Sequence, residues 1–213
     1  LALLALTLAG RIHDALDRAA GRELAEQLNG ATARVNAYVD ENTQVLRSLA
    51  VLPQVVAMDG AAQTPMLRAV AGVRTDLSLL HVTDTGARDI ARSDGKPMGE
   101  FPDRAWFTDV VKGKEVAFQT MISRATGKPS LAISTRVVEG NEIVGVIQAT
   151  MGLAKVAAAV NTVRVGKEGY AWLVDDQDKV MAHPDAGKVS EQAAAGDHPL
   201  VARARAGDST VVR

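Results

Sequence analysis

The stretch 11–52 limits what this chain can become more than any other. It contains no proline, and its only glycines are Gly21 and Gly30. Apolar side chains recur at Ile12, Leu16, Leu24, Leu28, Val35, Val39, Leu46 and Leu49, mostly three, four or seven apart. That spacing is the stripe of one amphipathic helix. About 40 residues of helix would run some 60 Å, longer than one compact domain needs. Such an element is either a spine shared by two modules or a dimer seam. Pro53 ends or kinks it, because proline lacks the amide hydrogen and crowds the preceding turn. Ahead of the spine, residues 1–10 read LALLALTLAG, uncharged and almost wholly apolar. A bilayer needs about 20 such residues. The run is therefore read as the outer end of a transmembrane helix or signal segment.

Beyond Pro53 the periodicity changes. Pro65 to Arg74 reads as a helix with Pro65 at its first position. Leu77 to Thr83 is a short apolar run, Asp84-Thr85-Gly86 a turn, and Arg88 to Ser93 a returning strand. Asp103 is a candidate cap for a helix running to Lys112 and closed by Gly113. Strands follow at Glu115–Ile122, Leu131–Val138 and Ile143–Met151, the last apolar enough to be central. Leu153 to Val163 returns to a helical pattern. Strand–turn–strand then recurs at 170–183, around Asp175-Asp176-Gln177-Asp178, as a weak echo of 77–93. Ser190 to Ala206 reads as loop with short helix, and Thr210–Arg213 as a further strand. The sum is an α+β fold in which antiparallel sheets form two related modules on one long helix.

The chemistry is defined as much by exclusion as by motif. There is no cysteine, which removes thiol catalysis, disulfides and cysteine-held metals. The net charge of -1 gives no pull toward nucleic acid. His13, His81, His183 and His198 show no metal-ligand spacing, and His183 beside Pro184 reads as a turn residue. Asp175, Asp176 and Asp178 lack the glycine and terminal glutamate of a calcium loop. No nucleophile elbow, phosphate-binding loop or dinucleotide fingerprint occurs, so the chain reads as no enzyme, with no cofactor. One concentration remains. In Asp103-Arg104-Ala105-Trp106-Phe107, one of only two tryptophans stands beside an arginine in a chain with 3% aromatics. A guanidinium offers planar paired donors to a carboxylate, and the rings supply apolar walls. The same residues also suit a plain helix start whose aromatics fill core and whose arginine snorkels.

Three pieces of sequence carry a resemblance. They are the long helix, then Gly99…Asp-Arg-Ala-Trp-Phe…Gly113-Lys114 with Thr126-Gly-Lys-Pro129 and Gly145-Val-Ile-Gln-Ala-Thr-Met-Gly-Leu153, and finally Gly166-Lys-Glu-Gly-Tyr-Ala-Trp-Leu-Val-Asp175…Val180-Met-Ala-His-Pro-Asp185. In this order the chain resembles a double-Cache domain, the extracytoplasmic sensor region of bacterial chemoreceptors and sensor kinases. The resemblance implies two PAS-like modules along the helix of 11–54. The membrane-distal module, 55–152, binds a small molecule; the membrane-proximal module, 153–213, does not. It also implies a homodimer at the periplasmic face of the inner membrane, anchored through flanking helices.

The same resemblance assigns the site. Arg104 and Trp106 match the part of the pattern that holds a ligand carboxylate. Phe107 stands where the family often has tyrosine. Met121 and Ser123 take positions that commonly carry a tyrosine and an acid, and Thr150 one that commonly carries an aspartate. An amino acid needs an anionic partner for its ammonium, and Ser123 and Thr150 carry no charge. The expected ligand is therefore a small organic acid of the acetate, propionate, pyruvate or lactate class. An amino-acid sensor of a kinase or cyclase, or a ligand-free dimerisation spacer, are the alternatives.

Overall fold

The computed structural model describes residues 2–207, with side chains from Ala19 onward except Val165. The strand expected at Thr210–Arg213 lies outside the described residues. Helix α1 (Ala2–Ala50) is unbroken over 49 residues and starts upstream of Arg11. It stops because proline disfavours helical backbone in the residue before it. Leu52 accordingly sits at φ −68° and ψ 138°, and Pro53 opens the single turn α2 (Pro53–Val56). The spine expected over 11–54 thus closes at Ala50. Helix α3 (Gly60–Val73) begins well before Pro65, which lies inside it. Asp59 sets the start: its carboxylate accepts from the amides of Ala61 and Ala62 at 3.1 Å each. Those donors would otherwise be orphaned.

Strands β1 (Leu77–Asp84), β2 (Asp89–Arg92), β3 (Val116–Ile122), β4 (Pro129–Glu139) and β5 (Glu142–Gly152) form one antiparallel sheet in the order β2-β1-β5-β4-β3. β5 is central, as its apolar run requires, and is buried without a break from Val146 to Met151. Alternation sends its residues to two different cores. On one face Leu80, Val82, Ile133 and Ile147 pack with Leu46 and Leu49 of α1. On the other, Ala117, Ala132 and Val146 pack with Trp106, Phe107 and Val110 of α4 (Ala105–Val111). Asp103 does not cap α4. Arg104 takes the cap position without a side-chain bond, and the Trp106 amide donates instead to Oε1 of Gln119 on β3 at 3.2 Å. Asp103 is drawn away by Arg124, whose Nη2 donates to both its oxygens at 3.0 and 2.8 Å.

After β5 come α5 (Ala154–Val160), the two-stranded ladders β6 (Arg164–Val165) with β7 (Gly169–Tyr170) and β8 (Leu173–Val174) with β9 (Val180–Ala182), then α6 (Ala186–Ser190) and α7 (Pro199–Arg205). α1 reaches this part as well. Arg34 donates to the Thr162 hydroxyl at 2.8 Å, and Gln27 accepts from the Arg164 amide at 2.8 Å. The turns before β2 and β9 share one hydrogen-bond scheme. Asp84 Oδ1 accepts from the amides of Gly86 and Arg88 at 2.8 and 2.9 Å. Asp175 Oδ1 accepts from those of Gln177 and Lys179 at 2.9 and 2.8 Å. Each turn also holds one residue at positive φ, Ala87 at 68° and Asp178 at 62°. His183 is a turn residue, its Nδ1 accepting from the Asp185 amide at 2.8 Å.

β1 and β5 approach closely at Gly145, where an added Cβ would lie 2.4 Å from the Thr83 carbonyl oxygen and 2.7 Å from Met58 Cε. Backbone cannot yield as a flexible side chain does. Gly145→Ala should cost about 1–3 kcal/mol of stability, read as a lower urea midpoint with an unchanged slope.

Candidate functional site

The face of the sheet turned away from α1 is not uniformly apolar. The pairing that puts His81 opposite Gln148, and Leu79 opposite Thr150, collects polar side chains from β1 and β5 on one patch. Arg92 joins them as the cross-strand partner of His81. Helix α4 has only seven residues and covers the sheet from Trp106 onward. The remainder is roofed by the loop around Lys96–Phe101, leaving a cavity of about 260 Å³. That is below the roughly 300–1,000 Å³ of drug-sized pockets and suits a small molecule.

Arg104, Trp106, Met121, Ser123 and Thr150 all line this cavity. Phe107 does not; it is buried beside the indole, its ring centroid 6.0 Å from that of Trp106, and supports it edge-on. The hydroxyls at the two positions where acids were sought are already engaged. Ser123 Oγ accepts from the Ala125 amide at 3.2 Å, within the β3–β4 turn. Thr150 and Gln148 hydrogen-bond each other, at 2.9 and 3.2 Å. His81, Arg92, Phe101, Arg124 and Gln148, which no sequence motif marks as site residues, line the same cavity.

Two arginines behave differently here. Arg92 is saturated: Nη1 donates to Asp89 at 2.7 Å, while Nε and Nη2 donate to Asp94 at 3.0 and 2.8 Å. Those bonds, led by Asp94, hold its charge firmly and raise its pKa. Arg104 is not saturated. Among the described residues its only ion pair is with Asp103 at 3.9 Å, and Nη1 meets the thioether sulfur of Met121 at 3.6 Å. Burial pushes this guanidinium below its ordinary pKa, and neighbouring Arg124 pushes the same way. It is a partly desolvated cation short of negative charge.

Behind the cavity lies Asp89, whose side chain has no solvent exposure. Oδ1 accepts from Nδ1 of His81 at 2.5 Å, and Oδ2 from Arg92 at 2.7 Å and the Gly99 amide at 2.8 Å. Burial alone would raise this carboxyl's pKa, but the three donors outweigh it and hold the pKa below the ordinary value. A more open groove, about 880 Å³, lies between the lower end of the sheet and α6. The carboxylate in its lining, Asp76, is already bound to the Tyr38 hydroxyl at 2.8 Å and to Lys155 at 3.3 Å. The groove's lysine, Lys128, is exposed, unlike the partly buried Arg104.

A long helix bearing an antiparallel sheet, with a small cavity on the sheet's far face, defines a ligand-binding sensor domain. The chain belongs to the Cache domain family, which it matches over residues 12–211. Cache domains of this family are extracytoplasmic sensor modules and not enzymes. The chemotaxis receptor PscA of Pseudomonas syringae pv. tomato is 26% identical over 160 residues, covering 72% of this chain and 25% of the receptor. The chain thus spans about a quarter of that relative's length. Among solved structures, the ligand-binding domain of the Pseudomonas aeruginosa amino acid chemoreceptor PctC, in complex with GABA, is 23% identical with a TM-score of 0.66 over 84% of this chain and 82% of that one. The sensor domain of the V. cholerae histidine kinase DctB is 17% identical with a TM-score of 0.66, covering 81% and 69%. Among the described residues no helix is long and apolar enough to cross a membrane.

The depressed pKa of Asp89 gives stability a pH dependence. A carboxyl titrating below its ordinary 3.8 in the folded state stabilises the fold above that pH and loses the contribution as pH falls through the folded value. Asp76, Asp84 and Asp94 are depressed too. Melting temperature should therefore fall between about pH 5 and pH 2. In Asp89→Asn the fall should be shallower, from a lower starting stability.

Proposed function

We propose that this cavity, in a distal module spanning residues 55–152, binds a small organic acid of the acetate, propionate, pyruvate or lactate class. Arg104 would be the carboxylate anchor and Trp106 the apolar wall. One observation carries the reading: Arg104 lines the cavity without a carboxylate at hydrogen-bonding distance among the described residues. A ligand carboxylate would supply the missing charge through short charge-assisted bonds. Met121 suits a short alkyl chain.

A second reading is an amino acid, the kind of ligand that PctC senses by name. Its ammonium would need an anion. Glu100 is the one carboxylate residue lining the cavity, and it is exposed at the rim. Burying an ammonium without a counter-charge costs several kcal/mol, or about two to three orders of magnitude in affinity. Calorimetry against both ligand sets tests the choice. Short acids should bind, and Arg104→Ala should weaken them at least about tenfold, the loss of one charge-assisted pair. Tight binding of an α-amino acid, lost in Glu100→Gln, would replace the organic acid by the amino acid. A melting temperature unmoved by either set would favour a ligand-free spacer.

For the whole protein we propose a chemotaxis receptor, anchored to the membrane by flanking helices, whose proximal module (153–213) carries the signal without binding ligand. It would act as a homodimer through α1. Between Ala19 and Gly30 this helix buries no side chain fully, and Leu28 is 41% exposed, one turn from Leu24. Sedimentation should show concentration-dependent dimers, and Leu28→Asp should shift the equilibrium to monomer.

A further inference from the structure

We propose that His81 Nε2 is a second anchor in the cavity, and that it selects a short 2-hydroxycarboxylate over the corresponding 2-oxo acid. The inference rests on the organic-acid reading of the same cavity. His81 is 1% exposed, yet it lines the cavity. Its ring is fixed on three sides. Nδ1 lies 2.5 Å from Asp89 Oδ1, and the ring meets Phe101 and Trp106 edge-on, with centroids 5.0 and 5.3 Å away. Nε2 has no hydrogen-bond partner among the described residues, and it is the ring's remaining polar atom.

The protonation pattern follows from Asp89. That carboxylate takes three donors and has no proton of its own to give. Nδ1 must therefore be the protonated nitrogen, since a lone pair facing a carboxylate oxygen at that distance would be repelled. In the neutral ring Nε2 is then an acceptor, on a residue that lines the cavity. With the ligand carboxylate on Arg104, a 2-hydroxyl can donate to Nε2. A 2-oxo group presents a lone pair to a lone pair, and an unsubstituted alkyl acid leaves Nε2 unpaired. A site built to pair a ligand hydroxyl discriminates against analogues without it.

Asp89 acts here as a positioning residue, and its arrangement supplies a test that packing alone would not answer. Two donors, Arg92 Nη1 and the Gly99 amide, converge on Oδ2, and one ring nitrogen faces Oδ1. In Asp89→Asn the amide oxygen must face the two donors, so its NH2 faces His81. That forces Nδ1 to accept and moves the ring proton to Nε2, which becomes a donor. The preference should then be lost, because a hydroxyl oxygen accepts a hydrogen bond as a carbonyl oxygen does.

The experiment is calorimetry using lactate, pyruvate and propionate with the wild type, His81→Phe and Asp89→Asn. The wild type should bind lactate at least about tenfold more tightly than pyruvate, the loss of one buried hydrogen bond. His81→Phe should bring lactate down to the level of propionate in the same variant. Asp89→Asn should bind lactate and pyruvate about equally. Equal binding of lactate and pyruvate by the wild type, or a lactate preference that survives in His81→Phe, would overturn the assignment while leaving the Arg104 anchor standing. Should Asp89→Asn not fold, the wild type and His81→Phe decide alone. Failure of all three acids to bind the wild type would remove the organic-acid reading, and this one with it.

Discussion

The candidate site depends on one buried charge. Asp89 sits at the start of β2 with no exposed side-chain surface, and a carboxylate there is tolerable only because three donors meet it. Those donors come from three places: His81 on the neighbouring strand, Arg92 at the far end of β2, and the amide of Gly99 in the roofing loop. One carboxylate therefore fixes the floor, the flank and the lid of the cavity together. Removing it would leave a guanidinium buried without half of its partners, which is why breaking such a cluster costs more than forming it yields. Gly99 belongs to the same arrangement. A Cβ there would lie 3.0 Å from the Phe101 ring and 3.5 Å from Arg92 Nη1, so a side chain would compete with the approach that seats the loop.

The two faces of the sheet divide the work. The α1 face is mostly apolar, with Leu80, Val82, Ile147 and Met151 meeting the spine and α2–α3. The other face mixes an apolar cluster under α4 with the polar patch of His81, Gln148 and Thr150, all almost fully buried. Buried polar groups need partners, and most here find them within the protein. Of the residues lining the cavity, Arg104 has no carboxylate at hydrogen-bonding distance and His81 Nε2 no hydrogen-bond partner among the described residues. The functional reading is built on those two shortfalls.

Much of this fold is legible in the sequence, and the failures have local causes. The spine, the central β5 and the two Asp-initiated turns follow from the absence of proline, from apolar continuity and from aspartates that accept their own downstream amides. Pro65 misleads because the Asp59 cap, not the proline, decides where α3 starts. Asp103 misleads because Arg124, distant in sequence, outcompetes the helix amides for its carboxylate. At the site, a motif marks Arg104 and Trp106, whereas nothing local marks His81. It lies in the run Leu77-Ser-Leu-Leu-His-Val-Thr-Asp84, and its role appears only when strand register sets it against Gln148 and Arg92. Phe107 is adjacent to Trp106 in the chain, but on a helix adjacent residues point about 100° apart, so only one of the pair reaches the cavity.

Strand β1 also suggests how occupancy could be felt outside the cavity. Successive residues of a strand point to opposite faces. His81 therefore borders the ligand space while Leu80 and Val82, its immediate neighbours, pack in the core that includes Leu46 and Leu49 of α1. On the proposed reading, a ligand bridging Arg104 at the start of α4 and His81 on β1 would tie the α4 side of the cavity to the sheet floor. A displacement of β1 would pass to the spine without an intervening loop, and close-packed cores resist absorbing such a shift locally. α1 in turn reaches the elements after β5 through Arg34 and Gln27. The ligand can bias this path only to the extent that it binds one arrangement of these elements more tightly than another. A molecule held by Arg104 alone would touch one wall and could be bound without being sensed. A molecule held at both anchors would supply the differential affinity that a signal requires.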